Sequence, residues 1–246
     1  MQHRSKKIKK SFFIILVVLI VLSGGSAIYL GNYYHSVDVE KYMNGSSEVS
    51  VEKFDKGWFF DGAGEEKALI FYPGAKVATE AYAPLMYQLA ESGIDCFLVD
   101  MPFHMAFFGM NRAEEIMQEY NYEAWYLGGH SLGGAMAANF AVDYVEDHTD
   151  GIRGLLLLAA YPTKDLSTSD MSVVTVYGSE DGVLNMDKIV AGRELMPQDY
   201  KEVCIEGGNH AQFGSYGTQK GDGTAAIPAE EQWARTVEVF VGDESE

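Results

Sequence analysis

Cysteine is nearly absent. Cys96 and Cys204 are the only two among 246 residues, and neither sits in a CxxC pair or beside histidines at metal-ligand spacing. A thiolate metal cluster and a heavily disulfide-stapled scaffold are thereby excluded, and on count alone one bridge is the most the chain can form. No cysteine lies near Gly24 or Gly25, so there is no site for a thioether-linked lipid. Bases are also scarce, 18 against 36 acids, and five of them (Arg4, Lys6, Lys7, Lys9 and Lys10) fall in the first ten residues. The rest of the chain carries 13 bases against 36 acids, a formal charge of −23. Such a surface repels phosphate backbones, so nucleic acid is not an expected partner, and solubility accounts for the acidity. Internal repeats and low-complexity tracts are missing too, which argues against a solenoid.

What is present begins with a basic segment, residues 1–10, followed by an unbroken apolar run over 12–22 and a softer one over 23–30. Nineteen residues at a rise of about 1.5 Å can cross a bilayer core of about 30 Å, with the basic end held in the cytoplasm. The expectation is a transmembrane anchor over 11–30, with the remainder of the chain extracytoplasmic. The alternatives are a cleaved secretory signal, for which Gly25–Ala27 offers small residues, and a buried core helix. Residues 31–46 read as a linker, and 47–246 as one domain with no obligate protein partner.

Within that domain, strand-length apolar runs alternate with helix-length segments. Strands are expected near 49–54, 58–61, 67–72, 95–100, 124–127, 154–159, 173–177 and 201–205; helices near 80–92, 113–120, 132–146, 187–195 and 230–240. Two hairpin-like strands followed by strand–helix–strand units imply an α/β fold. Its sheet should be mostly parallel, of about eight strands, with helices on both faces. Ligands of such sheets bind beyond the carboxyl ends of the strands, so the loops there carry the function.

One of those loops holds Gly129-His130-Ser131-Leu132-Gly133, a GxSxG match between the strand "AWYLG" and a helical run. A serine on so tight a turn exposes its hydroxyl above the sheet, and the glycines remove side chains that would collide. A serine needs a base, and the base needs a carboxylate to orient it. His210, in "EGGNHAQFG" after the last strand, is the expected base, with His104 as pocket lining or surface. Asp181, in "YGSEDGV", is the expected acid and Glu180 the runner-up, since Asp before Gly suits a tight turn.

The order serine, acid, histidine, each on a strand-end loop, resembles the α/β-hydrolase superfamily from about Ser47 onward, in particular its compact, capless serine hydrolases related to the dienelactone-hydrolase and esterase-like group. The resemblance implies an oxyanion hole from the N–H groups of Leu132 and of Ala75, with Lys76 as the next choice, although Pro73-Gly74 stands where many relatives have His-Gly. It implies two separate buried thiols, because Cys96 and Cys204 fall on strands that are not neighbours. Only 13 residues, 161–173, occupy the usual place of a helical cap, which implies an open site walled by the loop 101–110. Candidate pocket residues are Tyr72, Lys76, Phe103, His104 and Tyr161. The implied activity is hydrolysis of a small ester-like substrate through an acyl-enzyme, with no metal and no cofactor. Thioesterase or acyltransferase chemistry on the same residues, or a non-catalytic binding protein on the same scaffold, are the alternatives.

Overall fold

The computed structural model describes residues 31–148 and 151–243. The expected anchor or signal over 11–30 lies outside the described residues, and among these no helix is long and apolar enough to cross a membrane. All eight expected strands form: β1 (Ser50–Phe54), β2 (Gly57–Asp61), β3 (Lys67–Tyr72), β4 (Asp95–Val99), β5 (Ala124–His130), β6 (Ile152–Leu158), β7 (Ser172–Gly178) and β8 (Tyr200–Ile205). They build one sheet in the order β1-β2-β4-β3-β5-β6-β7-β8. The β1/β2 and β2/β4 pairs are antiparallel and every later pair is parallel.

The two-residue period of the strands sorts their side chains into two apolar layers. Leu69 and Phe71, with Cys96 and Leu98, face helices α2 (Ala83–Glu91) and α6 (Ala229–Asp243), where Leu85, Leu89, Trp233 and Phe240 are buried. Ala68, Ile70 and Tyr72, with Phe97 and Val99, face α3 (Arg112–Glu119) and α4 (Leu132–Asp147), through Ala113, Ile116, Ala137 and Phe140. Both faces are therefore covered, as a parallel sheet requires. A short helix, α5 (Met186–Gly192), follows β7. The stretch expected as one helix over 80–92 opens instead as a 3-10 turn, Thr79–Tyr82, because Pro84 suits only the first turn of the α-helix behind it. The connection from β6 to β7, residues 159–171, contains turns and no helix.

Residues 34–46 differ from the linker expected of them. Tyr34 bridges Val77 in parallel, Val39 is buried, and Tyr42 packs edge-on against Tyr87 and Trp233 around the short helix α1 (Glu40–Met43). Their aromatic and β-branched side chains fill a groove on the α2/α6 layer, which a polarity-based reading of the segment does not reveal.

The two thiols are unbridged, but only Cys96 is buried. Cys204 is exposed, contrary to expectation, because β8 is the edge strand and most of its length is only partly covered. Burial pushes the Cys96 thiol far up; partial burial and the carboxylates of Glu206 and Glu202 raise that of Cys204 more modestly. In the folded protein a thiol-reactive dye should therefore modify one cysteine, slowly at neutral pH and faster in alkali. The second should react only in denaturant, and modification of both in the native state would contradict this packing.

Candidate active site

Strand β5 runs straight into α4, and Ser131 is the hinge between them. Its backbone sits at φ 53°, ψ −121°, a region that non-glycine residues occupy only under strain of about 1–3 kcal/mol. The geometry is held by the Ser131 N–H on the Leu158 carbonyl (2.9 Å) and by the Ala135 N–H on the Ser131 carbonyl (3.1 Å). Packing explains the glycines. A Cβ on Gly133 would stand 2.1 Å from the Tyr72 carbonyl oxygen, so α4 can begin against the end of β3 only without a side chain there.

That close approach sets the loop after β3 beside the start of α4. In this loop the Gly74 N–H donates to Tyr82 Oη (3.0 Å) and the Lys76 N–H to the His104 carbonyl (2.7 Å). The Ala75 N–H between them has no acceptor among the described residues. Leu132, the first residue of α4, has no carbonyl one turn earlier in the helix to accept its N–H. Of the three loop amides, Ala75 is thus the uncommitted one and Lys76 is not.

Across the cavity, His210 Nδ1–H donates to Asp181 Oδ2 at 2.8 Å, with both side chains only 2% exposed. The other carboxylate oxygen, Oδ1, accepts from the N–H groups of Val183 (2.8 Å) and Leu184 (2.7 Å), an Asx turn that aims the acid. Glu180, the runner-up, is exposed and accepts instead from the Ser179 hydroxyl. Ser131, Leu132, Tyr161 and His210 line one cavity of about 320 Å³, mostly apolar, walled by Met136, Val183 and Leu184. Ser131 Oγ has no hydrogen-bond partner among the described residues; in unliganded sites such contacts commonly tighten only when substrate arrives.

Of the other expected pocket residues, Tyr72 is misplaced. It is fully buried on the α3/α4 face, its hydroxyl donating to the Met110 carbonyl and accepting the Ala113 N–H (3.1 Å), because strand parity puts it with Ala68 and Ile70. Lys76, Phe103 and His104 stand on the neighbouring loops and do not line this cavity.

Three supports were not foreseen. Asp222, in the glycine-rich loop, accepts four main-chain N–H groups. Its Oδ1 takes those of Gly182 (3.1 Å), His210 (3.3 Å) and Gly223 (2.8 Å), and its Oδ2 takes that of Ala211 (2.8 Å). One carboxylate thus ties the acid loop to the histidine loop. Gln232 of α6, fully buried, brackets Asn209 through both its N–H (3.0 Å) and its carbonyl (2.8 Å). Tyr82 Oη, holding Gly74, is also 2.7 Å from Nδ1 of His130, whose ring lies 4.4 Å from that of His210. Since Tyr82 Oη already accepts from Gly74, its own proton is free to go to His130 Nδ1. Burial, and then the neighbouring His210, hold the His130 imidazole well below its usual 6.5. The only local signal for Asp222 was an Asp between two glycines.

The sequence pattern of the Alpha/beta hydrolase family matches residues 68–234. Among curated protein sequences none matches. Similar solved structures include Est1E from Butyrivibrio proteoclasticus, with 16% identity over 81% of this chain and 100% of that one and a TM-score of 0.56. Carboxyl esterase 2 from the mycorrhizal fungus Tuber melanosporum is 13% identical over 85% and 89% of the two chains, with a TM-score of 0.59. An esterase from Pyrobaculum calidifontis is 14% identical over 84% and 88%, with a TM-score of 0.58. At these identities the likeness is one of fold.

Two measurements check the supports. Asp222→Ala leaves four N–H groups without their acceptor and should cost about 2–3 kcal/mol in urea unfolding, more than Asp222→Asn; equal stability of Asp222→Ala and wild type would contradict the clamp. His130 stays neutral when folded but takes a proton below about 6.5 once unfolded. The unfolded state then binds more protons, so stability falls as pH drops from 6.5. That loss, at most about 1.4 kcal/mol per pH unit, should be missing in His130→Asn, and identical slopes would contradict it.

Proposed function

Because the chain belongs to the alpha/beta hydrolase family, we propose that it is a serine hydrolase of carboxylic esters working through an acyl-enzyme, with Ser131, His210 and Asp181 as its triad. The observation that carries this reading is the buried 2.8 Å Asp181–His210 bond at a cavity that Ser131 shares. Ser131 Oγ attacks the ester carbonyl carbon while its proton passes to His210 Nε2. Asp181 holds Nδ1–H, which fixes the tautomer and stabilises the imidazolium. The carbonyl oxygen becomes an oxyanion and takes hydrogen bonds from the N–H groups of Leu132 and Ala75. Collapse of the tetrahedral intermediate breaks the bond to the alkoxy group, which leaves as the alcohol with the proton from His210. Water, deprotonated by His210, then attacks the acyl-serine; the acid leaves and Ser131 regains its proton.

The apolar lining of Met136, Val183 and Leu184 supports an acyl group rather than a charged one as occupant. The reading extends to topology. Residues 12–30 anchor the chain, with the N-terminus in the cytoplasm and the domain outside, as the five adjoining basic residues support.

Hydrolysis of p-nitrophenyl esters of graded acyl length tests the chemistry. Ser131→Ala and His210→Ala should each lower kcat about 10⁴-fold or more, Asp181→Ala nearly as much, and Glu180→Ala less than about twofold. Full activity in folded Ser131→Ala would overturn the assignment, and comparable losses in Glu180→Ala would move the acid.

A further inference from the structure

The loop after β4 stands apart from the rest of the surface. Residues 101–111 include no Asp, Glu, Lys or Arg in a chain that carries 36 acids. Met101 and Ala106 are buried, yet Phe103, Phe107 and Phe108 are 58%, 66% and 54% exposed. The three rings form one knob, Phe108 lying 5.7 Å from Phe103 and 5.1 Å from Phe107. A patch of this kind on an acidic protein marks an interaction site, and its lack of charge suits hydrocarbon better than a charged protein surface.

What covers the knob follows from where the chain enters the domain. Tyr34 is stitched to the loop after β3, its N–H donating to the Lys76 carbonyl (2.7 Å) and its carbonyl accepting the Ala78 N–H (2.8 Å). Lys76 is in turn bonded to the His104 carbonyl within the aromatic loop. On its other side the same segment is tied to the loop after His210, through the Val37 N–H on the Ser215 carbonyl (2.8 Å) and the Lys220 N–H on Tyr34 Oη (3.2 Å). The apolar run of the N-terminus ends only four residues before Tyr34, a reach of about 14 Å at most. A bilayer entered by that run must therefore lie close to this rim of the site. Tyr29 and Tyr33, at and just past the end of the run, are of a residue type favoured at a membrane interface.

We infer that the Phe103–Phe107–Phe108 knob is a second membrane contact, inserting into the outer leaflet of the bilayer that holds the N-terminal run, so that the mouth of the site faces the lipid and draws esters from it. The inference rests on the anchored topology proposed above. Two points of attachment, one covalent and one apolar, fix the orientation of a domain that a single tether would leave free to turn.

The test uses the full chain in phosphatidylcholine vesicles, with Cys204→Ser as background. A polarity-sensitive dye is attached at Phe107→Cys or, as control, at Glu91→Cys, which is exposed at the opposite end of the sheet. Dye at 107 should shift to the blue and be quenched by spin-labelled lipid, while dye at 91 should not. In parallel, Phe107→Ser/Phe108→Ser should slow hydrolysis of an ester dissolved in the bilayer about tenfold. Hydrolysis of water-soluble p-nitrophenyl acetate should stay within about twofold of wild type, which also shows the variant folded. Alkaline carbonate extraction separates the two ways of failing. Protein that resists extraction but shows no quenching at 107 overturns the second contact and leaves the anchor standing. Protein released by carbonate overturns both, and a blue shift without lipid quenching that fades on dilution overturns the inference in favour of a second copy of the chain.

Discussion

The site depends on one steric constraint, the contact between the first turn of α4 and the last residues of β3. Gly133 meets the Tyr72 carbonyl where any side chain would collide, and Gly134 is similarly close to the Gly129 carbonyl. Because the helix can come so near, Ser131 is forced into its positive-φ turn, Leu132 presents its N–H at the helix start, and the loop after β3 is drawn alongside. A single methyl group at 133 would therefore disturb the Ser131 backbone and the relation between the start of α4 and the loop after β3 together. The geometry around Ser131 is thus made by backbone packing, and the side chains are mounted on it.

A second level of order lies in the loops. Asp181 is aimed by the amides of Val183 and Leu184, and His210 is held by Asp181, while Asp222 and the Gln232–Asn209 pair fasten the main chain around them. On the other side Tyr82 connects Gly74 to His130, the neighbour of Ser131. The two halves meet where the rings of His130 and His210 approach within 4.4 Å. Loops without regular structure are thus placed by buried polar bonds, each of which would be costly to leave unmade.

Much of this was legible beforehand, and the failures have physical causes. Strand positions and the turn at Ser131 follow from local patterns: apolar runs of strand length, and glycines around a serine before a helical run. Asp before Gly suits a tight turn, and the Asp181 carboxylate does make one, while Glu180 is exposed. Tyr72 lies next to the loop after β3 in sequence, but the parity of β3 turns its side chain away from the cavity. Cys204 went wrong because burial on an edge strand depends on what covers it, which its own sequence does not encode. Tyr82 acts through partners 8 and 48 residues away and Asp222, apart from its neighbour Gly223, through partners 11 to 40 away, and no short-range pattern announces such bonds. Residues 34–46 look polar and aperiodic, yet their few aromatics find a groove assembled from distant helices.

The strained turn at Ser131 carries a cost in stability that another residue would avoid. Glycine would occupy φ 53°, ψ −121° without penalty, and the chain already spends glycines freely on either side of that position. Serine at the one position of this turn where the backbone favours glycine therefore leaves the fold less stable than the same chain with glycine there, by about 1–3 kcal/mol.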